Sequence, residues 1–145
     1  PTALPGYKHA FHFYTSLWDT DSSGVTRDRF CEALAAEGLE VWAYIDMIRN
    51  FRQLGKKRPR PAGPIHLRSA FQRKDFYGYG CPFSCNFVHD IPDYSKGSLP
   101  VSEECAKTEF CLPQLLLEPP CDNVDMDKIL DIIEKVVHNI DELRR

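Results

Sequence analysis

GVTRDRFCEALAAEGLEV, Gly24 to Val41, is the stretch on which the fold class turns. Thr26 stands where a helix N-cap belongs, and Phe30, Ala33, Leu34 and Ala36 recur at helical spacing behind it. Gly38 then ends the run as the residue just beyond a C-cap, so the spacing predicts a helix over Arg27–Glu37. LEVWAY (Leu39–Tyr44) follows at once, and its β-branched and aromatic content predicts a strand. On the other side, HAFHFYTSLW (His9–Trp18) alternates Ala10, His12, Tyr14 and Ser16 with Phe11, Phe13, Thr15 and Leu17, which predicts a second strand. DTDSSG (Asp19–Gly24) reads as the turn between. Strand, helix and strand in such close succession imply a small α+β unit.

Further along, Ser102 is placed to cap a short helix running through Thr108, with Glu103 and Glu104 in its first turn, and Phe110–Leu112 reads as a brief strand. The final segment carries Met126, Ile129, Ile133, Val136 or Val137, Ile140 and Leu143 on one helical face. Asp125 and Asp127 lie at its start and Arg144 and Arg145 at its end, each sign at the favourable pole of the helix dipole. This helix is expected to dock on the sheet.

Composition narrows the class. With 145 residues, 43% hydrophobic and 27% charged, the chain has room and material for one packed core, which excludes wholesale disorder. The expectation is a single domain over 1–145. No window of about 18 apolar residues exists, so no membrane-spanning helix is expected. The opening PTALPGYKHA has neither the charged nor the apolar region of a secretory leader, and it begins on Pro1, as an excised piece of a longer domain would. Six cysteines without a repeating spacing read as reduced thiols of a cytoplasmic protein.

The net charge of −3 argues against a dedicated nucleic-acid binder, but its distribution is uneven. Between Arg49 and Lys74 lie nine basic residues and no acidic one. Pro59, Pro61 and Pro64 with Gly55 and Gly63 make the centre of that stretch a loop. Such a loop suits an acidic or phosphorylated partner, which defines an alternative reading: a non-catalytic interaction module using residues 49–74.

Motifs for chemistry are sparse. Cys81 and Cys85 have the spacing of half a zinc site, with His66 and His89 near in sequence, but no second compact ligand pair accompanies them, and packed thiols in a rigid loop are the expectation. No phosphate-cradling glycine motif occurs, and nothing selects a Cys–His nucleophile pair. His12 and His138 fall on predicted elements, where such residues are ordinarily structural.

The order of the pieces carries more than any one of them. An aromatic strand, then Gly24–Val41, then the GCPFSC loop (Gly80–Cys85), then DYSKGSLPVSEECAKTEFCLPQLLL (Asp93–Leu117), then DNVDMDKILDIIEKVVHNIDEL (Asp122–Leu143) resembles the C-terminal part of the DegT/DnrJ/StrS-type sugar aminotransferases. Arg27–Leu39 looks like the family's R-D-x-F-x-x-A-L-x-A-E-G-I pattern, and Pro100–Glu103 with Leu112–Pro113 looks like its P-x-x-E segment before a short strand. The GCP loop and the LPQ–LLL segment look most like the glutamine-dependent branch that acts on keto-inositols such as scyllo-inosose.

The resemblance implies the small C-terminal domain of the aspartate-aminotransferase architecture, α+β, with a short antiparallel sheet packed by helices. It implies a cytoplasmic homodimeric transferase that binds pyridoxal 5'-phosphate on a large domain and moves an amino group from a donor to a keto-sugar or keto-inositol. A transaminase needs a lysine for its cofactor and a carboxylate for the pyridine nitrogen. None of the eight lysines here lies in a segment resembling the family's aldimine motif, so no catalytic, cofactor-binding or metal-binding residue is assigned. The chain alone is expected to be inactive. On the substrate side the resemblance points to Tyr44, Arg49 and the loop residues Gly80, Cys81 and Pro82. Arg49 offers a guanidinium fork suited to the carboxylate of an amino donor. Asp46, Ile48 and Phe51 stand where the family has proline, an aromatic or histidine, and proline, departures compatible with an altered specificity or with a degenerating gene remnant.

Overall fold

The computed structural model describes residues 3–9, 13–45 and 63–144. It is a mixed α+β structure of helices and a two-stranded antiparallel sheet. Its contacts gather into two compact units, one of residues 1–42 with 109–145 and one of residues 43–108.

In the first unit, strand β1 (Tyr14–Leu17) pairs with β2 (Glu109–Leu112), Tyr14 opposite Leu112 and Leu17 opposite Glu109. The predicted strand at Phe110–Leu112 is therefore present, one residue longer. Of the strand expected over His9–Trp18, Tyr14–Leu17 forms, His9, Phe13 and Trp18 are not in strand, and Ala10, Phe11 and His12 lie outside the described residues. The expected turn at Asp19–Gly24 is a one-turn helix, α1 (Thr20–Ser23), because the Asp19 carboxylate accepts the Ser22 N–H at its start and Gly24 adopts φ +67° at its end.

Helix α2 (Arg27–Ala36) follows the sequence reading closely. Thr26 Oγ1 accepts from the Arg29 N–H, and at the far end Leu39 N donates to Leu34 O while Gly38 N donates to Ala35 O. These two bonds form a Schellman closure, for which Gly38 supplies the required positive φ of +94°. The same closure turns Leu39 back onto Leu34, and both are buried in one cluster. A strand over Leu39–Tyr44 does not form: only Trp42 makes a bridge, to Cys111. Leu39 and Val41 are buried and Glu40 is exposed, so the alternation is real but is used for packing, with one backbone pairing in place of a ladder.

The last long helix, α5 in chain order (Asn123–His138), opens with a complete capping box between Asp122 and Asp125. It ends at Asn139, whose side chain donates to Lys135 O, and a separate turn, α6 (Ile140–Leu143), takes up the rest. The uninterrupted face expected through Leu143 is thus broken. Ile129 and Val136 of α5 bury against Phe30 and Leu34 of α2 and Phe110 and Leu112 of β2. Phe30, 1% exposed, stacks on Trp18 at 3.8 Å between centroids and meets Phe110 edge-on at 5.6 Å. Trp18 Nε1 donates to Val25 O at 2.7 Å, which fixes the stacked ring. Buried Arg27 donates through Nη1 to Glu109 O at 2.9 Å and ties α2 to the first residue of β2.

The second unit holds the 3-10 turn Ile65–Leu67, helix α3 (Ser69–Arg73) and helix α4 (Pro100–Thr108). Ser102 does not cap α4. The helix begins two residues earlier at Pro100, whose fixed φ and missing N–H suit a first helical position, and the Glu103 N–H already bonds Leu99 O.

Phe30→Ala is expected to cost about 3–5 kcal/mol, because it removes both ring contacts and leaves a cavity at the centre of the first unit. Urea unfolding followed by circular dichroism measures it, and a loss under about 1 kcal/mol would contradict the packing described.

Candidate functional site

The chemistry-bearing side chains of the second unit converge near Glu103. Pro64 starts the 3-10 turn that carries His66, and the extended backbone of Arg68 separates that turn from α3. His66 is 4% exposed and its Nε2 lies 3.0 Å from Glu103 Oε1. The same carboxylate oxygen accepts the Gly97 N–H at 2.6 Å. These two donors, the Gly97 amide first and His66 second, hold the Glu103 carboxyl below the ordinary glutamate range. Gln72 on α3 completes the frame by donating to both His66 O at 2.8 Å and Tyr94 O at 2.6 Å.

Against this frame lies a cleft of about 410 Å³. Tyr44, Phe71 and Tyr94 give it aromatic walls, Ile65 and Leu99 extend the apolar surface, and His66, Arg68 and Ser102 supply the polar groups. Arg68 Nε is sealed from solvent and has no hydrogen-bond partner. A buried guanidinium nitrogen left unpaired is costly, and the rest of the Arg68 side chain contributes to the cleft lining. The cleft is mainly apolar with a few convergent polar groups, the usual composition of a small-molecule site.

Of the substrate-side residues expected from sequence, Tyr44 lines this cleft. Arg49 lies outside the described residues, as does the basic stretch up to position 62. The described end of that stretch is helical and not a loop, comprising Ile65–Leu67 and α3. Gly80, Cys81 and Pro82 do not line the cleft. They form a tight turn beside it, in which Ser84 Oγ donates to Tyr79 O and Phe83 packs on Tyr94 at 5.9 Å and on Phe76 at 5.3 Å. Phe71 joins the same aromatic group, 5.1 Å from both Phe76 and Tyr94.

Arg68, Glu103, Gln72 and Ser102 were not singled out as site residues by the sequence. Arg68 is one cation in a run of nine, and His66 and Glu103 are 37 positions apart, so no local signal marks either.

No set of three or more His, Cys, Asp or Glu side chains among the described residues is arranged to hold a metal ion. His66, considered with Cys81 and Cys85 as a zinc ligand, is instead engaged by Glu103, and His89 is exposed. All six cysteines are free thiols, and burial pushes the Cys31 thiol up to about 11, so it stays protonated at neutral pH. No helix among the described residues is long and apolar enough to cross a membrane. No family model, curated protein or solved structure matches the chain.

Glu103 yields a pH prediction. Its folded value is depressed, so the stabilisation from its charged form is fully present above the ordinary value of 4.5 and is lost as pH falls below it through the folded value. The Gly97 amide proton, followed by NMR, is expected to titrate with a midpoint below 4.5 and to lose the shift in Glu103→Gln. A midpoint at or above 4.5 would contradict the arrangement.

Proposed function

We propose that this chain is the small domain of a pyridoxal-phosphate-dependent aminotransferase of sugar or aminocyclitol metabolism, in which the cleft beside Arg68 forms part of the substrate side. In this reading the whole enzyme is a cytoplasmic homodimer that passes an amino group from a carboxylate-bearing donor to a keto-sugar or keto-inositol. The observation that carries it is the chemistry of the cleft: aromatic walls, the hydroxyl-bearing Tyr44 and Ser102, and the cationic side chain of Arg68. These groups bind and orient a polar, anionic small molecule. The motif order quoted above supplies the family.

The residues present do not fit the cofactor itself. Among the described residues no lysine lines the cleft to bond it covalently, and the nearby carboxylate, Glu103, is already committed to His66 and Gly97. Cofactor chemistry therefore belongs elsewhere in such an enzyme, and this domain's share is positioning. Tyr44 and Ser102 offer hydroxyls to a polyol, Tyr94 and Phe71 offer ring faces, and Arg68 offers its fork to a carboxylate. Gln72 anchors the Tyr94 backbone, and Glu103 anchors His66, two residues before Arg68.

Glutamate and glutamine, titrated into the protein and followed by NMR, are expected to shift the resonances of Tyr44, His66 and Tyr94. Arg68→Gln should weaken that binding by about tenfold or more, the loss of one charge-assisted contact of about 1.5–3 kcal/mol. Equal binding by wild type and Arg68→Gln, or shifts confined to other residues, would overturn the placement.

A further inference from the structure

The turn beside the cleft contains a second reactive arrangement, independent of the reading above. Between Gly78 and Cys85 the backbone folds tightly on itself: Cys81 N donates to Gly78 O, Ser84 N to Gly80 O and Cys85 N to Pro82 O. Tyr79 and Gly80 adopt φ +57° and +78°, and a Cβ on Gly80 would lie 2.9 Å from Ser84 Oγ. These constraints bring Cys81 Sγ to 3.3 Å from Cys85 Sγ. Both side chains are half-buried, so a small molecule reaches them, and both are reduced.

Two sulfurs in this relation have few uses. A tetrahedral zinc ion with bonds of about 2.3 Å would set its two sulfurs about 3.8 Å apart and would require two further ligands. The described residues offer no such set. A simple packing role accounts for one buried thiol, as at Cys111, which sits in the core against the Thr15 hydroxyl at 3.0 Å, but it does not require two thiols in mutual contact at the surface. A covalent bond of about 2.05 Å requires the two sulfurs to close little more than about 1 Å from their 3.3 Å separation.

We propose that Cys81 and Cys85 form a reversible intramolecular disulfide by exchange with a low-molecular-weight disulfide of the glutathione class. In the first step one cysteine thiolate attacks a sulfur of the oxidised tripeptide. A protein–glutathione disulfide forms and one glutathione thiolate leaves. In the second step the other cysteine, deprotonated, attacks the protein sulfur of that mixed disulfide, forms the Cys81–Cys85 bond and expels the second glutathione. Two protein thiols lose two electrons and two protons, and one glutathione disulfide becomes two glutathione thiols. The second step is intramolecular between sulfurs already in contact, which favours the closed form over the mixed adduct. Hydrogen bonding to Cys85 and burial raise the Cys81 thiol above its ordinary value, so exchange quickens as the solution becomes alkaline.

The bond would act on the cleft through ring packing. Phe83 lies between the two cysteines and packs against Tyr94, which lines the cleft. Oxidation fixes the turn under that wall, and reduction releases it.

The test equilibrates the whole chain with mixtures of reduced and oxidised glutathione, traps it by alkylation, and reads intact and peptide masses. The expected product has lost two hydrogens and gives, after cleavage at Phe83, two fragments joined through Cys81 and Cys85. It should exceed the singly glutathionylated protein by about tenfold or more. The Tyr94 ring resonances should move in the oxidised form. Cys85→Ser should stop at a glutathione adduct on Cys81. Both sulfurs remaining open to alkylation in excess oxidised glutathione, a persistent mixed disulfide in the wild type, or pairing of either sulfur with another cysteine would each overturn the proposal. The wild-type measurement stands even if a variant fails to fold.

Discussion

One carboxylate oxygen, Glu103 Oε1, joins three segments of the second unit. It receives the His66 ring from the 3-10 turn and the Gly97 amide from the loop before α4, while its own backbone stands in the first turn of that helix. A carboxylate so little exposed is tolerable only because both donors satisfy it, and an unpaired charge there would be strongly destabilising. The position of Arg68 follows, since it is the second residue after His66 and its backbone is extended between two helical turns. The cleft exists because this frame spaces its walls. In the first unit the corresponding constraint is the Phe30 ring, held between Trp18 and Phe110.

What the sequence made legible was local. The Thr26 cap, the Gly38 closure and the acids at the start of α5 act within a turn of the residues they serve, and each is found where the spacing put it. What it left hidden depends on partners far away. Leu39–Tyr44 alternates as a strand does, but whether a strand forms depends on a neighbour, and Cys111 supplies only one bridge. Ser102 has the chemistry of a cap, yet Pro100 begins the helix first and Ser102 becomes a lining residue of the cleft. The α5 face breaks at Asn139 because its side chain returns to the Lys135 carbonyl, an option that a hydrophobic pattern does not register.

The site was half visible for the same reason. Tyr44 stood out by its place after EGLEV, whereas Arg68 was one member of a basic run whose charge as a whole drew attention. Only burial separates it from its neighbours, since its Nε is enclosed without an acceptor. The GCPFSC loop was legible as a rigid turn, but its relation to the cleft is indirect, through Phe83 and Tyr94. The described residues thus combine an aromatic-walled cleft with a pair of neighbouring thiols under one of its walls.

The central claim is that this domain serves a larger transaminase, and the most direct measurement is the native reading frame upstream of Pro1. The account predicts an extension of about 250 residues, the size of a large domain, with a lysine in a family-like cofactor motif. A frame that opens close to Pro1 would contradict it, because no lysine lines the cleft among the described residues.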